Sequence, residues 1–406
     1  MDLKKHQLEA IKKGLEIIKQ HNFVYLKMET RTGKTLTSLN IAQSFGAKSV
    51  LFVTKKKAIE DIEGQYKQGN FDFDIFIINF ESVHKVNNEV DFLIVDEAHS
   101  LGAYPKPALR FKKLFPFRSL PMILLSATPS PESFSQLFHQ FFLPIYGIFK
   151  QYKNFYKWFK DFGVPKQKRV QQQLVNDYSE TQADKLNNLL EPFFVSCTQE
   201  EADFNIKILE QIAYCTQSTQ IELFYKLMKR TGVIVVEGET ITAKTAVARM
   251  QKCHQIASGT ILDDNQNQII LSVFKANIIY LDKLQDEKIA VFYKFQAEKK
   301  LLVEYFGNKI TERPEEFQQE KDKIFIGQFQ SIREGVNIST ADKIYMFNID
   351  FSATSYIQSI NRLQNMHRTK PARIVWLFSE LGIEPKIYEL VKNKHKNFTL
   401  THFYKL

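Results

Sequence analysis

Apolar residues in the first 130 or so positions follow two alternating rhythms. Leu8, Ile11, Leu15 and Ile18 recur at helical spacing and predict one buried helix face. Val24-Tyr25-Leu26 is a short continuous apolar run, and Leu36 to Ala42 then reads as a helix again. Ser49 to Thr54, Ile75 to Ile78, Phe92 to Val95 and Met122 to Leu125 are further apolar runs of strand length. Such runs, separated by helical segments, predict a mostly parallel sheet covered on both faces.

The pattern changes near Pro129. Phe134 to Trp158 is dense in aromatics, Lys150 to Arg169 is strongly basic, and the polar stretch from Gln171 to Asn188 predicts exposed helix or linker. Gln217 to Leu271 reads as helices with one short strand, Val233 to Val236. A second βα alternation starts near Asn277, with strands expected at Ile289 to Tyr293, Ile324 to Ile326, Ile344 to Phe347 and Ile374 to Phe378. The expected architecture is α/β: a lobe over 1–145, a helical, basic and aromatic connector over 146–215, and a second lobe over 216–406.

Composition narrows the class. A chain of 406 residues is long enough for two domains. Lys plus Arg (55) exceed Asp plus Glu (45), giving net charge +10, which favours a polyanionic partner. Cys197, Cys215 and Cys253 are too scattered for a disulfide framework or a metal site. His84, His139, His254 and His402 show no ligand spacing either. No signal sequence is readable at the N-terminus, and no apolar stretch approaches the ~20 residues that span a bilayer, so a soluble cytoplasmic protein is expected.

Two motifs carry chemistry. Thr32-Gly33-Lys34-Thr35 follows an apolar strand and opens a helix, which aims backbone N–H groups at phosphate oxygens. Lys34 would reach the β- and γ-phosphates, and the Thr35 hydroxyl would bind Mg²⁺. Met28 stands where such loops usually begin with glycine. Asp96-Glu97 ends the apolar run Phe92 to Val95, so Asp96 can hold the metal and Glu97 can orient and deprotonate water. Ser126-Ala127-Thr128-Pro129 ends a third apolar run.

In this order, Thr32 to Thr35, Asp96-Glu97-Ala98-His99 and Ser126-Ala127-Thr128 resemble motifs I, II and III of superfamily 2 helicases and translocases. The resemblance implies two RecA-like lobes with ATP between them, and coupling roles for His99, Ser126, Thr128 and Gln358. His6-Gln7 resembles the glutamine motif, implying that Gln7 contacts adenine. Val50 to Lys57 resembles motif Ia, which lies along a nucleic-acid backbone, and Asn79-Phe80-Glu81-Ser82 resembles a segment that carries a nucleic-acid contact. Val291 to Lys294 resembles motif IV. Gln328 to Ser339, with Arg333 and Gly335 at its centre, resembles motif V, which couples nucleic acid to nucleotide. Gln358 to Arg362 resembles the start of motif VI, whose arginines sense the γ-phosphate. Arg362 matches the first of them; Asn365 replaces the second, with Arg368 three residues on, and Asn361 replaces a glycine.

Ser126 to Phe162 is similar to the Swi/Snf-like branch, while Gln255 to Gly259 with Asp263-Asp264, and Met28-Glu29, resemble compact phage-encoded members. The resemblance implies a monomeric DNA-stimulated ATPase that moves on duplex or branched DNA, among replication or recombination proteins. Two alternatives stand beside it: a strand-separating helicase, although no pin hairpin is readable, and a weakly hydrolysing DNA-binding switch because of Asn365. Lys55, Lys56 and Lys57 are either phosphate contacts or a solubilising run. Around Lys153 and Lys157, Phe155, Trp158, Phe159 and Phe162 fall on one helix face, predicting a buried aromatic stripe with lysines outside as candidate contacts.

Overall fold

The structure is a computed structural model that describes residues 3–86, 89–170, 173–202, 208–284, 287–329, 338, 340–353, 355–356, 360, 371–393 and 404. The chain forms two compact units, Met1–Phe204 and Asn205–Leu406. The α/β architecture with two parallel sheets is the one expected of RecA-like lobes. Among the described residues no helix is long and apolar enough to cross a membrane.

The first unit opens with α1 (Lys5–His21), β1 (Phe23–Met28), α2 (Lys34–Phe45), β2 (Ser49–Thr54), α3 (Ile59–Gly69), β3 (Asp74–Asn79) and β4 (Phe92–Val95). It continues with α4 (Leu109–Leu114), β5 (Met122–Leu125), α5 (Leu137–Phe142), α6 (Phe155–Phe162), β6 (Lys166–Val170), β7 (Gln173–Asp177), α7 (Ala183–Leu190) and β8 (Phe194–Cys197). Six of these strands make a parallel sheet in the order β3-β2-β4-β5-β1-β8. Alternation along each strand divides the core in two. Phe23, Tyr25, Leu51, Val53, Leu93 and Val95 face one apolar cluster, whereas Val24, Leu26, Val50, Phe52, Phe92 and Ile94 face the other. Both faces are dry, which is why these strands read as unbroken apolar runs.

The second unit contains β9 (Ile208–Cys215), α8 (Thr219–Thr231), the hairpin β10 (Val233–Val236) and β11 (Glu239–Thr242), α9 (Ala246–Ala257), and the hairpin β12 (Thr260–Leu262) and β13 (Gln268–Ile270). Next come α10 (Phe274–Lys283), β14 (Ile289–Tyr293), α11 (Gln296–Phe306), β15 (Ile310–Thr311), α12 (Pro314–Gln319), β16 (Ile324–Gln328), β17 (Lys343–Met346), β18 (Ala372–Ser379) and α13 (Ile383–Lys392). Its parallel sheet runs β15-β16-β14-β17-β18-β9, again with a cluster on each face. Beneath it, Lys275 and Glu384 form a fully buried ion pair at 2.5 Å; Lys275 also donates to the Phe347 carbonyl and Glu384 accepts from the Ser379 N–H. Every polar group of the pair has a protein partner, as burial of charge demands.

The segment 146–215 is divided between the units. Residues as far as 204 belong to the first, where β8 completes the sheet beside β1, and β9 is the edge strand of the second. The stretch expected as helix or linker from Gln171 onwards contains β7 before α7 begins. The phage-like segment has a local structural role: Gln255 accepts from the Leu262 N–H, Asp263 caps the β12–β13 turn through Asn267, and Asp264 holds Thr242.

Candidate active site

In a parallel sheet every strand presents its carboxyl end to the same edge, and loops there are free to carry chemistry. The order β2-β4-β5-β1 therefore sets Thr54, Asp96, Ser126 and the Gly-Lys-Thr loop side by side. The sheet brings together the first three motifs, which are separated by about 30 to 60 residues in the chain.

The phosphate loop spans the turn between β1 and α2. Gly33 caps α2 in the left-handed region (φ 85°) and Arg31 is left-handed as well (φ 67°). Thr32, 1% exposed, donates its hydroxyl to the Glu29 carbonyl at 2.8 Å. Lys34 and Thr35 occupy the first turn of α2, half-buried, where helix N–H groups lack intrahelical partners. The N-terminal helix lies directly over this loop. His6 Nε2 is 3.1 Å from the Thr32 carbonyl, and a Cβ at Gly33 would stand 2.1 Å from Gln7 Nε2. Glycine is thus required at 33 by both backbone and space. Gln7 also accepts from the Lys4 N–H at 2.9 Å, closing the start of α1.

The acidic pair is held just as firmly. Thr54 donates to Asp96 Oδ2 at 2.9 Å. Burial and the neighbouring Glu97 push the Asp96 carboxyl up, against Lys34 and the Thr54 hydrogen bond. Glu97 occupies the left-handed region (φ 51°), uncommon for a side chain of its size and characteristic of functional loops. Burial opposes its charge, but His99, Lys55 and Lys34 outweigh burial and bring it down to about 2. Lys55 Nζ lies 3.4 Å from Glu97 Oε1, and His99 Nδ1 lies 3.2 Å from Oε2 and 3.0 Å from Ser126 Oγ. Burial holds the His99 imidazole at about 4, so at neutral pH it is uncharged and the two lysines stabilise the carboxylate. Ser126 Oγ in turn accepts from the Thr128 N–H at 3.2 Å. A continuous polar chain thus runs Lys55–Glu97–His99–Ser126–Thr128.

Three contributors gave no signal as motifs. Thr54 ends an apolar run and looks like a strand residue. Glu29 and Gln199 are joined across the chain: the Gln199 N–H donates to Glu29 Oε2 and its amide to the Thr30 carbonyl, both at 2.9 Å. The segment after β8 therefore braces the phosphate loop from below.

The expected nucleic-acid residues divide by exposure. Lys55 and Lys56 are exposed just past β2; Lys57 lies in the same short helix, its side chain outside what the structure describes. Lys153 and Lys157 are exposed, while Phe155, Trp158, Phe159 and Phe162 are buried as their spacing predicts. Phe80 is a correction. It is 1% exposed, packed in the core with the Arg110 guanidinium 4.8 Å from its ring, and cannot touch a nucleic acid from there. Strand β3 delivers it inward, leaving Glu81 outside to pair with Arg110 at 2.9 Å.

In the second unit, Lys294 at the end of β14 pairs with Asp350 at 3.0 Å. Fully buried Glu298 accepts from the N–H groups of Lys294 and Phe295, closing the start of α11. Arg333, Gly335, Gln358, Asn361, Arg362, Asn365 and Arg368 lie outside the described residues.

Comparison with known proteins fits this geometry. The SNF2-related domain matches residues 19–267. The CHD3-type chromatin-remodeling factor PICKLE of Arabidopsis thaliana is 21% identical over 380 residues, covering 84% of this chain and 26% of that protein. The probable ATP-dependent DNA helicase CHR12 of Arabidopsis thaliana is 24% identical, covering 84% of this chain and 33% of its own length. This chain thus spans about a third or less of either relative. Among solved structures, the Sulfolobus solfataricus SWI2/SNF2 ATPase core domain matches at 15% identity and TM-score 0.43, covering 97% of this chain and 89% of that one. The chain belongs to the SNF2-related family, a family of ATP hydrolases.

Proposed function

We propose that this chain is a DNA-directed motor that hydrolyses ATP and uses the cycle to move on duplex or branched DNA. One observation carries the proposal: a phosphate loop and an Asp-Glu pair meet at the carboxyl edge of one parallel sheet, and Lys55 joins that pair to the lysine run after β2. Lys34 and the first turn of α2 would take the β- and γ-phosphates, and Gln7 the adenine. The Thr35 hydroxyl and the Asp96 carboxylate are hard oxygen donors of the kind that suit Mg²⁺. Among the described residues no three His, Cys, Asp or Glu side chains cluster, which fits an ion completed by phosphate oxygens and water. Bound there, Mg²⁺ would neutralise charge on the transferring phosphoryl group.

Glu97 would orient and deprotonate the attacking water, with His99, Ser126 and Thr128 relaying the state of the site. Lys55, Lys56 and Lys57, with Lys153 and Lys157, would neutralise backbone phosphates without regard to sequence. From the second unit Arg333 and Gly335 would couple DNA to nucleotide, and Arg362 with Arg368 would supply the cation for the γ-phosphate. Net charge, family membership and relatives named as chromatin-remodeling factors and DNA helicases support DNA over RNA.

ATP turnover measured in parallel with single-stranded, duplex and forked DNA and with RNA tests the reading. Stimulation by DNA, abolished in Lys34→Ala, is expected. Equal turnover in Lys34→Ala, or stimulation by RNA alone, would sink it. Asn365→Arg decides the cation: a large gain in turnover would mean that an arginine is missing at 365.

A further inference from the structure

Gly163 to Gln182 leave the body of the first unit and return to it. The root of this excursion is fixed. Gly163 bridges Thr181, the Val164 N–H donates to the Glu180 carbonyl at 2.9 Å, and the Gln182 N–H donates to Phe162 at 2.8 Å. The Ser133 and Ser135 hydroxyls donate to the Ser179 and Tyr178 carbonyls, and the Tyr178 ring packs edge-on against Phe155 and Phe159.

Beyond the root, β6 and β7 pair from Lys166↔Asp177 to Val170↔Gln173 and join no larger sheet. Leu174 and Val175 are 66% and 37% exposed. As neighbours in a strand they point to opposite sides, so the ribbon is uncovered on both faces. A lone two-stranded ribbon is marginal in water, and exposed apolar residues on it add nothing to its stability. Charge indicates what would cover it. Lys153, Lys157 and Lys160 stand exposed around the root, Lys166, Lys168 and Arg169 lie on β6, and Asp161 is the sole acidic residue between positions 150 and 170. An apolar side chain carried on a basic prong is the combination with which proteins part stacked bases while holding the phosphates.

The root also connects to the candidate active site. Ser133 and Ser135 follow Ser126-Ala127-Thr128-Pro129 in the chain. Gln140 donates to the Pro129 carbonyl at 2.8 Å and accepts from the Tyr25 hydroxyl of β1 at 2.6 Å.

We infer that the β6–β7 ribbon is a wedge that enters the base stack of DNA at a fork, Leu174 leading, so that the motor separates strands as it moves. The inference rests on the DNA-motor reading above. A forked duplex carrying 2-aminopurine at the junction tests it in two ways, by its brightening when protein binds without hydrolysis and by strands separated per ATP consumed. With the wild-type chain both should be seen. Leu174→Ser should abolish the brightening and lower the ratio by about tenfold or more, while Leu174→Phe should keep both. The wedge is overturned if the wild-type junction stays dark and closed although DNA stimulates turnover, or if Leu174→Ser matches wild type. It is equally overturned if the ribbon captures a protein strand on its free edge with both fork readouts unchanged. Absence of any stimulation by DNA would instead refute the motor reading, and the binding fluorescence would still decide the wedge.

Discussion

Glu97 is placed by three neighbours at once: its own left-handed backbone, Lys55 and His99. Glu97→Gln keeps the shape and hydrogen bonds but removes the proton acceptor. DNA-stimulated turnover should fall by about 10²–10⁴, with binding of a fluorescent ADP analogue retained; unchanged turnover would reassign the base. Two imidazoles set the acid limit of the first unit. Burial holds His99 and His139 at about 4, opposed at His99 by Glu97 and at His139 by the Ala103 carbonyl. The unfolded chain takes up protons at these positions below about 6.5, whereas the folded unit does not until about 4. Stability should therefore be level above that window and fall as pH drops through it, by up to ~1.4 kcal/mol per pH unit for each imidazole. Melting temperatures at pH 7.5 and pH 5 (chosen to bracket about 6.5) will show the drop, and His139→Gln should shrink it.

Helix α6 separates packing from contact on its two sides. Trp158 is fully buried among Phe138, Phe149, Phe155 and Phe162, with ring centroids 5.3–5.6 Å away, and its indole N–H has no partner. Its contribution is packing, so Trp158→Ala should cost about 3–5 kcal/mol by denaturant titration, and Trp158→Phe much less. On the exposed side, Lys157→Glu should leave the melting temperature unchanged and weaken DNA binding with a shallower salt dependence. Elements like α6 and the central strands were legible because burial leaves a mark on sequence: one apolar stripe for α6, unbroken runs for β1, β2, β4 and β5. Strands β6 and β7 were not, because nothing covers them and their residues are those of a linker. Strand β9 was missed for a related reason: as an edge it leaves Leu209, Ile212 and Tyr214 exposed, blurring the run. At the site, contiguous motifs such as Gly33-Lys34-Thr35 and Asp96-Glu97 were readable. The Thr54–Asp96 and Gln199–Glu29 bonds were not, since only the fold brings those residues together. The Phe80 assignment failed because the resemblance of a segment does not say which of its residues faces inward.

Each unit has its own sheet and its own pair of apolar clusters, so the first should fold alone. Residues 1–204 are expected to melt cooperatively and bind ATP, yet to show no DNA-stimulated turnover without the arginines of the second unit; full turnover by this fragment would mean that the second unit is dispensable. Within the first unit, Gln199 reaches back over 170 positions to hold Glu29. A chain emerging from the ribosome exposes its Gly-Lys-Thr loop early, but that loop acquires its brace only after α6, the ribbon, α7 and β8 have all been made. Synthesis itself then imposes an order, with the parts that would grip DNA in place before the chain can hold its fuel. A nascent fragment ending at residue 190 should bind ATP far more weakly than one ending at 204, so a half-made motor would be unable to fire.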